Sequence, residues 1–160
     1  MAGRVKDQLR PEDLDDPRLG GHDAGNAASQ VAQFSGVRQA LFDFQLGFAN
    51  TPPDGAPGAV IDGRDIGTVI APDADVKLYI TASPEIRAGR RFRQLHNSGA
   101  DVAYEDVLQD MHARDKRDAG RDNAPMQQAE DAHVIDTSEL DIEAAYEAVT
   151  TIVYNRLATA

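Results

Sequence analysis

Asp62-Gly63-Arg64-Asp65-Ile66-Gly67-Thr68-Val69-Ile70-Ala71-Pro72 follows the short apolar run Ala59-Val60-Ile61. The run reads as a buried strand and the polar stretch as the loop at its carboxyl end. Open α/β sheets take their ligands at such strand ends. A guanidinium and a carboxylate side by side between two glycines form a small polar device. The Arg can hold a phosphate, and the Asp can accept from a base amine. The pattern therefore points to a nucleoside monophosphate site. Seen alone, the pair also reads as a turn with an internal Arg–Asp ion pair.

Working outward, Val76-Lys77-Leu78-Tyr79-Ile80 is rich in β-favouring residues and predicts a second strand, and Ala132–Ile135 a third. Helices alternate with them. Val31, Phe34, Val37, Leu41, Phe44 and Phe48 recur at helical spacing and predict a helix over Asn26–Ala49. Asn50–Gly58 is a Pro/Gly loop. Ser83-Pro84 opens a helix that runs to about Asn97 and stops near Gly99. Further helices are predicted over Tyr104–Arg121 and Asp141–Leu157. Residues 1–25 are polar and irregular, with turns at Arg10-Pro11 and Asp16-Pro17. Strands alternating with helices imply a three-layer α/β fold, a thin parallel sheet covered on both faces.

The 160 residues carry a net charge of −11 and no cysteine. Disulfides and thiolate metal sites are excluded, and the four histidines show no ligand spacing, so no metal site is expected. The acidic balance disfavours a nonspecific nucleic-acid binder. No apolar stretch approaches a membrane span, and the first residues lack the apolar core of a secretory signal, so a cytoplasmic chain is expected. Thirteen of the sixteen cationic residues are Arg, and seven of these lie between Arg87 and Arg121. Arg forks match phosphate oxygens. The alternative is a solvated, salt-bridged helix surface.

Arg114, Asp118 and Arg121 share one helical face, with Arg117 nearby. Two Arg flanking one Asp leave surplus positive charge, although an i,i+4 ion pair explains the spacing as well. Arg87, Arg90 and Arg91 form a second cationic face, with Arg93 close by and no acid within the run to Asn97. A moving helix that closes over phosphates would use such a face; pairing with acids elsewhere is the alternative. Ser29 and Arg38 are nine residues apart and do not share a face of a straight helix.

Asn26-Ala27-Ala28-Ser29-Gln30-Val31-Ala32, Val37-Arg38, the Asp62–Thr68 stretch, Pro72-Asp73-Ala74, Arg114-Asp115, Arg117-Asp118, Arg121, Ala124-Pro125 and Asp131-Ala132, in that order, resemble the bacterial cytidylate kinases, the (d)CMP kinases. The match covers roughly Pro11 to the C-terminus. The resemblance implies a parallel sheet of the P-loop nucleoside monophosphate kinase type and transfer of a phosphoryl group from ATP to CMP or dCMP, with Mg²⁺, by a cytoplasmic monomer. It implies that Ser29, Arg38 and Asp65 read cytosine. Arg64 and Arg121 would clamp the α-phosphate, and Arg114 and Asp118 would contact the ribose. Arg90 and Arg91 would belong to a mobile lid over about 87–121 that meets the ATP phosphates, and Arg90 and Arg121 would act in catalysis.

Kinases of this family begin with a strand and a Gly-x-x-x-x-Gly-Lys-Ser/Thr phosphate loop. No such run occurs in these 160 residues, and none of Lys6, Lys77 and Lys116 follows the required glycine. Gly20 and Gly25 have the spacing, but Asn26 and Ala27 follow. The expectation is thus an N-terminally incomplete fold, with residues 26–160 as the C-terminal portion of the kinase domain and little turnover by this chain alone. A fragment, a misplaced start, a degenerate paralogue, or a missing half supplied by another chain would each explain it. A non-catalytic CMP-binding or assembly module is the alternative function, and a kinase for UMP or AMP a further one.

Overall fold

The computed structural model describes residues 13, 15, 16, 19, 22–120 and 127–159. Arg121 and Ala124-Pro125 lie outside the described residues. Two parallel strands, β1 (Leu78–Thr81) and β2 (His133–Asp136), pair in the register Leu78 to His133 through Thr81 to Asp136. The ladder extends one bond at each end. Lys77 O accepts from His133 N, and Thr81 O accepts from Thr137 N, both at 2.8 Å. The α/β class and the parallel sense agree with the sequence reading.

Between the strands runs a helical hairpin, α3 (Pro84–Asn97) and α4 (Tyr104–Ala119), numbered after α1 (His22–Val31) and α2 (Ser35–Asn50). Local chemistry sets its limits. The Ser83 side chain accepts from Ile86 N at 3.3 Å, with Pro84 at the first helical position. Gly99 adopts φ +84°, the left-handed conformation that closes the helix, and Ala100 N donates back to Leu95 O at 3.0 Å. Ala88, Leu95 and Val107 form the buried seam of the hairpin, with Phe92, Leu108 and Met111 packed around it. The closing helix α5 (Ile142–Leu157) starts at Asp141, whose carboxylate accepts from Ala144 N at 2.8 Å. It lies against β2.

Two features differ from the sequence reading. Ala59–Ile61 is not a strand: it has no ladder partner among the described residues, and Val60 is 97% exposed. The described sheet therefore has two strands rather than three. Apolar content alone does not make a strand; a paired neighbour does. The long helix predicted over Asn26–Ala49 is two helices. It begins earlier, at His22, and breaks at Ala32-Gln33-Phe34, where Phe34 takes an extended conformation (φ −81°, ψ 116°).

Candidate nucleotide site

The break between α1 and α2 decides the geometry of the site. It turns the chain so that Ser29 from α1 and Arg38 from α2 line the same cleft, which one straight helix would not allow. The 62–65 loop supplies Arg64 and Asp65, and α4 supplies Arg114 and Asp118. The cleft holds about 200 Å³.

Asp65 is fixed from behind by a wide helical turn over Ile66–Ile70. Its carbonyl accepts from Val69 N at 2.9 Å, and from Thr68 N and Ile70 N at 3.3 Å. Gly63 makes the approach to this turn possible. A Cβ there would lie 2.8 Å from Ile66 Cγ1, too close for any ordinary contact. Thus held, Asp65 is 8% exposed, and its Oδ2 accepts a hydrogen bond from Arg38 Nη2.

The second centre is Asp118, 1% exposed. Ser29 Oγ donates to its Oδ1 at 3.2 Å, and Arg64 Nη1 lies 3.0 Å from its Oδ2. Arg114 Nε is 3.8 Å from the same Oδ2 but makes no hydrogen bond. Burial holds the Arg114 guanidinium below its ordinary range, and the neighbouring Arg64 cation pushes it further down; Asp118 opposes both. Two cations thus crowd one carboxylate, an arrangement that favours an added anion.

Of the residues predicted for the site, Ser29, Arg38, Arg64, Asp65, Arg114 and Asp118 meet in this cleft. Arg121 lies outside the described residues. Arg90 and Arg91 do not line the cleft. Arg90 donates to Thr137 Oγ1 at 2.9 Å and to the carbonyls of Thr137 and Leu140 at 2.6 and 3.3 Å. Arg91 Nη1 donates to Gln94 Oε1 at 2.7 Å. Arg87 makes a two-pronged pair with Asp115 of α4 at 3.0 and 2.6 Å. One lining residue, Gln45, was not singled out by the sequence reading. Its signal is the seven-residue spacing from Arg38, which places both on one stripe of α2.

Among the described residues no group of three or more His, Asp or Glu could hold a metal ion. The described side chains therefore offer no cluster of that size to a magnesium ion.

Comparison with known proteins bears on this cleft. The family model for cytidylate kinase matches residues 8–155. A cytidylate kinase of Caulobacter vibrioides (strain NA1000 / CB15N) is 58% identical over 130 residues, covering 81% of this chain and 59% of the relative. One from Paramagnetospirillum magneticum is 51% identical over 153 residues, covering 96% of this chain and 72% of the relative. One from Rhodospirillum rubrum is 51% identical over 148 residues, covering 92% and 70%. The chain thus spans about three-fifths of the length of the Caulobacter relative. A family match over nearly the whole chain, and identity above one half in each of these relatives, agree with the ordered residues from Asn26 to Asp131: the chain belongs to the cytidylate kinase family.

Proposed function

We propose that the cleft binds CMP or dCMP as the acceptor in phosphoryl transfer from ATP. The observation that carries the reading is the Arg38–Asp65 pair in the same cleft as the Arg64, Arg114 and Asp118 group. In this reading the cytosine amino group donates to Asp65, while Arg38 and Ser29 donate to the ring nitrogen and carbonyl. The Arg38–Asp65 ion pair keeps both groups oriented before the base arrives, which lowers the ordering cost of binding. Uracil presents an oxygen where cytosine presents the amine, and a carboxylate repels it. Arg64, with Arg121, grips the α-phosphate; Arg114 and Asp118 meet the ribose.

Transfer forms a bond from a CMP phosphate oxygen to the γ-phosphorus and breaks the bond from that phosphorus to the ADP oxygen. The protein's share in such chemistry is positioning and charge neutralisation. Arg90 and Arg121 are the proposed neutralising cations, with Arg91 beside them in the lid over about 87–121. For Arg90 to reach a phosphate, its bonds to Thr137 and Leu140 must exchange. Magnesium is held largely by substrate phosphates and water in phosphoryl-transfer sites. No helix among the described residues is long and apolar enough to cross a membrane. A monomer in the cytoplasm that meets only small nucleotides completes the proposal.

A second reading is CMP binding without turnover by this chain alone. It is favoured by the lack of a Gly-x-x-x-x-Gly-Lys-Ser/Thr run within the 160 residues. Calorimetry with CMP, UMP and ATP, beside a coupled assay for ADP release, tests both. CMP is expected to bind at least about tenfold more tightly than UMP, a difference of about one charge-assisted hydrogen bond. Equal binding of the two overturns the cytosine assignment. ADP release separates the kinase from the binding module.

A further inference from the structure

Gln45 is neutral, half-buried and on the cleft wall, two turns along α2 from Arg38. The other polar side chains of the wall, Ser29, Arg38, Arg64, Asp65, Arg114 and Asp118, are tied to one another by hydrogen bonds or ion pairs. The Gln45 carboxamide makes no hydrogen bond to another described residue. A half-buried amide that faces a cleft without an internal partner has a donor and an acceptor to offer a ligand.

Its chemistry selects the part of the ligand. A phosphate dianion calls for cations; Arg64 and Arg114 come from the 62–65 loop and α4, whereas Arg38 of α2 is already paired with Asp65. Arg38 and Gln45 share one stripe of α2, about 10 Å apart along the axis, and both carry long side chains. A planar neutral ring held at Arg38 and Asp65 lies within reach of both.

We propose that Gln45 contacts the pyrimidine ring and supplies affinity for the base, leaving the choice between cytosine and uracil to Asp65. An amide can turn either its oxygen or its nitrogen to the ring, so it serves both bases; a carboxylate cannot. This inference rests on the CMP reading above.

The test is a titration of the full chain and its Gln45→Ala variant with CMP, UMP and ribose 5-phosphate, beside urea unfolding of both. Loss of one neutral hydrogen bond is expected to weaken CMP and UMP by about 3- to 10-fold each. Ribose 5-phosphate affinity and the unfolding midpoint should stay unchanged. Unaltered CMP affinity overturns the proposal. So does equal weakening of ribose 5-phosphate, which makes Gln45 a ribose contact or a structural residue. If the unsubstituted chain binds CMP no better than ribose 5-phosphate, the cytosine reading itself fails, and the role of Gln45 with it.

Discussion

Asp118 carries more of the site than its single charge suggests. It is buried, it accepts from Ser29, and it faces both Arg64 and Arg114. Asp118→Asn keeps the shape and an acceptor oxygen but removes the charge that separates two guanidiniums. Breaking a fully buried pair costs several kcal/mol; here both arginines are about one-third exposed, so water screens part of the loss. The variant should lose about 2 kcal/mol, read as a lower urea midpoint with an unchanged slope. Inorganic phosphate should then stabilise the variant more than the parent, because an anion replaces the missing charge between the two cations. An unchanged midpoint would show that Asp118 does not hold the pair together.

At the scale of elements, the ends of helices are readable in the sequence and their partners are not. Ser83-Pro84, Gly99 and Asp141 mark their boundaries because each acts through its own next few residues. The break at 32–34 has only Ser35-Gly36 beside it as a local signal, and the apolar spacing runs through it without a gap. Ala59–Ile61 has strand composition but finds no strand beside it. The cationic face of α3 looks self-unpaired in sequence, yet Arg87 reaches Asp115, 28 residues on. Arg87 also donates to Ala82 O at 3.0 Å, which ties α3 to the end of β1 as well as to α4. Arg87→Ala should cost about 1–2 kcal/mol by urea unfolding, discounted for partial exposure, and Arg87→Lys should recover only part of it because a single ammonium cannot bridge both carboxylate oxygens. A second tie joins the two strand starts: Lys77 Nζ lies 2.8 and 2.7 Å from the two oxygens of Asp131. The Lys77 hydrogen bond holds the Asp131 carboxyl below its ordinary value of 3.8. A carboxyl lowered on folding stabilises the native state above its unfolded value and loses that contribution as pH falls through the folded one. Asp131→Asn should therefore be the less stable of the two above the unfolded value of 3.8, and the difference should shrink as pH falls below it through the lowered folded value. Parallel unfolding curves for the two proteins at all pH values would dismiss the tie.

Over the whole molecule, apolar residues are numerous but incompletely covered. Among the described residues the buried apolar set is Ile70, Ala82, Ala88, Leu95, Val107 and Ile135. Phe34 at the break, Phe44 on α2, Ile80 and Val134 on the strands, and Ile142 and Tyr146 on α5 are each more than half exposed. The amphipathic stripes of α2 and α5 are plain in the sequence, but spacing identifies an apolar face without saying what covers it. The small core and two-stranded sheet of the described residues, with the chain's net charge of −11, predict a marginal native state. The site is more closely tied than the core, since Ser29, Arg38, Arg64, Asp65, Arg114 and Asp118 come from four segments and are joined by ion pairs and the Ser29–Asp118 hydrogen bond. A ligand that bridges those segments therefore acts on global stability. On the proposal that the cleft takes CMP, the nucleotide at about a hundredfold its Kd should add about 2.7 kcal/mol to the native state. For a chain of this length that raises Tm by roughly 5–10 °C. UMP at the same concentration should give a clearly smaller shift, because in the proposed pose the Asp65 carboxylate opposes its carbonyl oxygen. Chloride at matched ionic strength should give less still, since screening relieves the general acidic repulsion without bridging Arg64 to Arg114. Melting curves with the three additions decide the matter: equal shifts with CMP and chloride would mean that the cleft senses only ionic strength, whereas a CMP shift that disappears in Asp65→Asn would tie the stabilisation to the base.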